Sequence, residues 1–300
     1  MPIILSENFR ALFYAPFYAA LSTGAFRAAG VEVVLRSSPN PPAAMQSLRA
    51  GEVDVMWGGP LRVMTVHDQE PGADLVCFCD VVARDPFFII GAKPKPQFKF
   101  ADLSGLKFAT VSEVPTPWIC LADDLRRAGV DPGKLDRISD STMEQNEIGL
   151  RAGKLDAVQV FQPYAERLIA SAAGHVWYAA ATRGLTAYTT LVTRRHMLEA
   201  RREELLQMTR AIHRTLGRFA VTPADEIVRE VTQFFPDVDR AIFAAAIERY
   251  RTLGLWGSDP VIRREGYDRL HGAMRSAGAL SRDIAFSACV DTTLAERAIA

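Results

Sequence analysis

The residues able to do chemistry gather in short stretches, each following an apolar run. They are Asn8, Phe9 and Arg10; Ser38; Trp57, Gly58, Gly59 and Pro60; Ser112, Glu113 and Trp118; Gln159, Phe161 and Gln162; and Tyr188. Aromatic rings offer flat apolar walls, and a few amides, hydroxyls and charges among them can orient a small molecule. Gln159 and Gln162 are the sharpest pointers, because a buried strand end has little use for two amides unless something is hydrogen-bonded there. Trp57 and Trp118 equally suit core packing. Glu113 equally suits the N-terminus of the helix that follows it, where a carboxylate is stabilised. On the ligand reading, Trp57→Ala and Gln162→Ala weaken binding. No metal site and no cofactor is expected. A covalent alternative needs a nucleophile and a base. Cys120 stands early in a helix expected from Trp118, where the helix dipole could lower its pKa, and His67 is the nearest base.

These residues need a scaffold that brings strand ends side by side, and the chain supplies one twice. Leu48-Arg49-Ala50-Gly51-Glu52-Val53-Asp54 runs into Val55–Pro60, and Leu150-Arg151-Ala152-Gly153-Lys154-Leu155-Asp156 runs into Ala157–Pro163. In each copy a helix ends at Leu-Arg-Ala, Gly supplies a left-handed cap, and an apolar strand leads to a Pro that can start the next helix. The echo continues upstream in Ser6-Glu7 with Ser112-Glu113, and in Arg27–Val31 with Arg127–Val130. Landmarks repeated in order point to two similar α/β lobes.

Apolar runs predict strands at Ile3–Leu5, Val31–Leu35, Val53–Trp57, Leu75–Cys79, Phe87–Gly91, Lys107–Val111, Leu135–Ile138, Ala157–Val160, Val176–Tyr178 and Ala187–Val192. Helices between them, the first over Pro16–Ala29, imply parallel β-α-β units. In such sheets ligands bind beyond the carboxyl ends of the strands, where the residues above stand. Four amphipathic helices follow, at about Leu198–Phe219, Asp225–Phe234, Val238–Tyr250 and Pro260–Met274, and Ala279–Ala300 reads as a loosely attached tail.

Composition narrows the function. The 300 residues are 49% hydrophobic and 23% charged with zero formal net charge, an ordinary globular balance that fits two domains. No basic run with interleaved aromatics suggests a nucleic-acid partner. Cys77, Cys79, Cys120 and Cys289 lack zinc-site spacing and read as buried reduced thiols. No apolar run is long enough to span a membrane. Met1–Glu7 has no basic n-region or cleavage signature, so either a signal was removed or the protein stays in the cytoplasm.

Three stretches, Leu48–Pro60, Ala101–Val111 and Leu150–Pro163, together with the C-terminal helices and Gly254-Leu255-Trp256, resemble a known family over about Ile3 to Leu280. The chain is similar to the NMT1/THI5-like and alkanesulfonate/nitrate/taurine (SsuA-like) substrate-binding proteins of ABC transporters. The resemblance implies an α/β, two-lobe type II periplasmic binding-protein fold with the ligand cleft between the lobes and C-terminal helices. Lobe one is then residues 1–92, completed by 188–300, and lobe two is 93–187, with hinges at about Phe88–Lys95 and Tyr188–Val192. It implies closure over a small organic molecule, delivery to a transporter permease, a monomer and a periplasmic location. A sulfonate needs hydroxyl and N–H donors with Arg10 or Arg84; a heteroaromatic ligand needs stacking and a carboxylate such as Glu113. The same fold also hosts enzymes resembling pyrimidine-precursor synthases, sulfinate desulfinases and decarboxylases, the cytoplasmic alternative.

Overall fold

The repeated Gly-x-x-Asp stretch has the same physical role in both halves of the computed structural model, which describes residues 1–300. One helix ends at Gly51 with φ 79°, and its counterpart is followed by Gly153 with φ 66°. That left-handed conformation is open to Gly at little cost. Asp54 then accepts the Ile4 N–H at 2.9 Å, and Asp156 accepts the Lys107 N–H at 2.9 Å. Each carboxylate ties the turn before an entering strand to the neighbouring parallel strand of its own sheet.

Two five-stranded sheets result. The first has the spatial order β2 (Val33–Arg36), β1 (Ile3–Ser6), β3 (Val55–Gly58), β10 (Thr189–Thr193), β4 (Val76–Val82). The second has the order β7 (Arg137–Ile138), β6 (Phe108–Ala109), β8 (Ala157–Val160), β5 (Phe88–Gly91), β9 (His175–Ala179). β1 runs parallel to β2 and β3, and β6 runs parallel to β7 and β8. β10 and β5 are antiparallel to both their neighbours. The antiparallel strands are the first ones laid down after each crossing between sheets.

The crossings are residues 83–87 and 180–188. The hinges expected at Phe88–Lys95 and Tyr188–Val192 therefore fall mostly within strands. β5 pairs inside the second sheet, ahead of the boundary expected after residue 92. Its apolar run suits a buried strand of either sheet, so periodicity alone could not assign it.

A buried ion cluster ties the crossings together. Arg183, with a side chain only 4% exposed, donates to Asp85 at 2.7 Å and to Asp124 at 2.5 Å. Arg84 donates to the Ala181 carbonyl at 3.1 Å, and the Ala180 N–H to the Phe87 carbonyl at 2.9 Å.

The helices are α1 (Ala15–Ser22), α2 (Ala25–Ala28), α3 (Pro41–Ala50), α4 (Pro60–Gln69), α5 (Thr116–Arg127), α6 (Met143–Arg151) and α7 (Tyr164–Ala170). Beyond β10 follow α8 (Arg195–Ala200), α9 (Arg202–Val221), α10 (Ala224–Val231), α11 (Arg240–Thr252), α12 (Arg264–Ser276), α13 (Phe286–Cys289) and α14 (Thr293–Ile299). The single helix expected over Pro16–Ala29 is broken by Gly24 at φ 72°. The one expected over Leu198–Phe219 is broken at Arg201. The C-terminal segment is not a loose tail. Cys289, Leu294 and Ala295 are fully buried, and Asp291 donates its N–H to the Cys77 carbonyl at 3.0 Å beside a Cys77–Val290 bridge. Helices of 4 and 7 residues are too short to reveal a period. All four cysteines are buried and unpaired. No helix is long and apolar enough to cross a membrane.

Two predictions concern this frame. Removing Arg183 strands two carboxylates, so Arg183→Met should cost about 3–5 kcal/mol in urea unfolding. Asp80 is buried, its Oδ1 has no partner, and burial pushes its pKa up to about 8. The folded state holds this proton above the unfolded value of about 3.9, so the native state is penalised increasingly as pH rises from about 4 to 8. Asp80→Asn should be close to neutral at pH 4 and stabilising at pH 8. Melting curves across that window check the sign.

Candidate functional site

The loops after β1, β2, β3, β6 and β8 meet in one cleft between the lobes, as the strand-end rule requires. The cleft has a main chamber of about 480 Å³ and a recess of about 30 Å³, which share Phe9, Pro41 and Val114. Phe9 from lobe one lies stacked against Phe161 from lobe two, ring centres 6.4 Å apart. Phe13 meets Phe161 edge-on at 5.2 Å, and Tyr164 and Phe235 extend the apolar lining.

Glu7 anchors the floor. It accepts from Ser37 at 2.5 Å, Tyr18 at 2.6 Å and Arg10 at 3.0 Å. Burial alone pushes its pKa up, but these hydrogen bonds and the Arg10 charge together hold it below the ordinary glutamate value. The Arg10 guanidinium that borders the chamber is thus already paired. Glu113 accepts the Met143 N–H at 2.9 Å. It therefore caps α6 rather than the helix that follows it, and keeps its second oxygen free of protein partners. Asn8 donates to the Tyr14 hydroxyl at 3.2 Å and accepts the Phe9 N–H at 2.9 Å. Gly59 and Tyr188 complete the recess wall, and a Cβ on Gly59 would stand 3.1 Å from the Tyr188 carbonyl oxygen.

The structure thus brings together Asn8, Phe9, Arg10, Gly59, Glu113, Phe161, Gln162 and Tyr188. It holds the others elsewhere. Trp57 is 0% exposed and stacks on Phe17 at 4.7 Å with an interplanar angle of 8°, inside the core of lobe one. Trp118 lies beneath the Arg137 guanidinium at 3.9 Å, outside the cleft. Gly58 and Pro60 are buried at the turn into α4. Ser38 bonds the Asn40 carbonyl at 3.0 Å, and exposed Ser112 donates its N–H to Ser141; neither lines the cleft.

The two amides serve the chain itself. Gln159 donates to the Pro117 carbonyl at 3.0 Å, outside the cleft. Gln162 borders the chamber, but its amide is spent on Glu166, accepting its N–H at 2.9 Å and donating to its carboxylate at 3.2 Å. Arg84 is likewise engaged, on the Ala181 carbonyl.

Sequence reasoning missed Arg62, Tyr14, Thr116 and Thr189 in the recess, and Met143, Tyr164, Arg167, Phe235 and Val238 in the chamber. One signal for Arg62 was present. A cation in the first turn of α4 opposes the helix dipole and asks for another reason to be there. Arg62 is half-buried, its guanidinium makes no hydrogen bond or ion pair, and burial pushes its pKa down.

The covalent alternative loses its residues. Cys120 is 3% exposed, and burial pushes its pKa up to about 12, the opposite of the expected helix-dipole effect. His67 is buried against the Leu75 carbonyl at 3.0 Å. Neither borders the chamber or the recess.

A model of the NMT1-like family matches residues 9–231. The chain is 23% identical over 295 residues to the inferred binding protein YtlA of Bacillus subtilis (strain 168), covering 98% of this chain and 88% of that one. It superposes on the periplasmic aliphatic sulphonate binding protein SsuA from Escherichia coli with a TM-score of 0.77 at 14% identity, covering 94% of each chain. It superposes on the desulfurization enzyme DSZB with a TM-score of 0.71 at 12% identity, covering 99% of each. The fold is the two-lobe periplasmic binding-protein fold expected from the sequence. Because Trp57 is core, Trp57→Ala should lower stability by about 3–5 kcal/mol. Urea denaturation measures this, and the folded fraction should keep its cleft intact.

Proposed function

The chain belongs to the NMT1-like family, and from that premise we propose that it is a solute-binding protein whose lobes close over a small organic molecule and deliver it to an ABC transporter. The observation that carries this is the cleft wall. Phe9 and Phe161, from opposite lobes, stack on each other in the wall of a chamber of about 480 Å³, and no nucleophile–base pair stands there. The aromatic lining favours a ring-bearing ligand. Asn8, Phe9, Arg10, Gly59, Glu113, Phe161 and Tyr188 are the residues assigned to it. The likeness to an aliphatic sulphonate binding protein supports an acidic ligand, and the likeness to a desulfurization enzyme is a reminder that fold alone does not fix chemistry. The reading places the working protein in the periplasm as a monomer, with the permease as its protein partner and no nucleic acid.

Closure buries the ligand between faces that are wet when the lobes are apart, so binding and hinge motion share one free energy. Native mass spectrometry of the protein as purified, with extraction of what it carries, is the test. One small ring-bearing molecule in one-to-one ratio, returned unchanged after incubation, is expected. Phe161→Ala should weaken its binding about tenfold or more, since an aromatic wall contributes on the order of 1–3 kcal/mol. A converted product would overturn the transport reading in favour of an enzyme.

A further inference from the structure

Three cations border the cleft, and two are already spoken for. Arg10 is paired with Glu7, and Arg167 is shared between Glu147 at 3.8 Å and the face of Tyr164. Arg62 has no partner, although it is half-buried in the recess. Taking a guanidinium out of water without a counter-ion is costly, and the cost is recovered when an anion arrives. Beside it Thr189 is buried at 1% exposure, and its hydroxyl lies near that of Tyr14 without a hydrogen bond of ordinary length to it or to any other group. Tyr14 accepts from Asn8 and neighbours Thr189, so the two hydroxyls stand side by side and each can turn its proton toward an arriving anion. Gly59, Leu61 and Arg62 bring the N-terminal end of α4, a 10-residue helix, to the same recess.

We propose that this recess is a carboxylate seat, in which Arg62, Thr189 and Tyr14 hold the acid group of a carboxylic acid whose ring occupies the chamber. The proposal rests on the solute-binding reading and names the ligand's class. The recess is small: about 30 Å³ admits roughly two oxygen-sized atoms. A planar carboxylate presents two oxygens, whereas a sulfonate or phosphate presents three on a tetrahedral centre. A Cβ at Gly59 would crowd the Tyr188 carbonyl at 3.1 Å, so the glycine keeps that side of the recess free of a side chain. A single guanidinium also suits a single negative charge. Phe9, Pro41 and Val114 border both spaces, so a short link from acid to ring passes between them.

The test uses matched probes on the full chain by calorimetry: phenylacetate, phenylmethanesulfonate and phenylacetamide, and the same three groups on an indole ring. At least one carboxylate should bind about tenfold or more tighter than its sulfonate and its amide. Arg62→Gln should abolish that preference, and the near-isosteric Thr189→Val should reduce it several-fold if Arg62→Gln fails to fold. Phe161→Ala should weaken all members of a set in parallel. A sulfonate or amide that binds as tightly overturns the carboxylate seat and leaves solute binding standing. So does a preference that survives both recess variants. Silence from every probe also overturns the seat, while the solute reading is decided separately by the molecule that co-purifies.

Discussion

One buried cation ties the two crossings between the sheets to each other. Arg183 sits on the second crossing between the sheets, Asp85 on the first, and Asp124 on α5 of lobe two. Asp85 is wholly buried and also accepts the Phe87 N–H at 3.0 Å. A guanidinium taken out of water needs well-placed carboxylates around it, and the two crossings cannot drift apart without undoing that arrangement. Just beyond the cluster, Phe87 meets Phe161 edge-on at 5.1 Å and Tyr188 enters the recess wall. The walls therefore start from the pivot.

Away from the pivot the lobes are joined by weaker ties. Arg249 on α11 pairs with Glu166 on α7, and Arg126 on α5 donates to Ser276 on α12 at 3.1 Å. Arg126 is exposed, and exposed polar ties contribute little and are screened by salt, whereas Glu166 is buried and its pair with Arg249 is screened less.

How much of this was legible in the sequence follows from how local each signal was. The alternation of strands and helices, and the twin Gly-x-x-Asp stretches, depend on neighbours along the chain and were readable. So were Phe9, Glu113 and Phe161, because strand ends converge in such folds. Gln162 does border the chamber, but Trp57 and Gln159 stand outside it, because sequence tells where a side chain stands on its strand but not which way its partners lie. Trp57 had Phe17 to stack on, Gln159 the Pro117 carbonyl, and Gln162 the backbone of Glu166. Phe235 and Val238 reach the chamber from the C-terminal region, far from any strand end. Their presence there is a fact of tertiary packing alone.

The two lobes also differ in how much chain each requires. The second sheet is built from residues 88–179 without interruption, whereas the first draws on β10 and on the Cys77–Val290 bridge near the opposite end. A ribosome delivers residues in order. The second lobe can therefore finish while the first, begun earlier, still shows an unfinished edge at β3 and β4. Until Thr189 emerges, those strands lack the antiparallel neighbour that lies between them. The half of the molecule made first is the half completed last, and for that interval it is the surface a folding helper would have to shield.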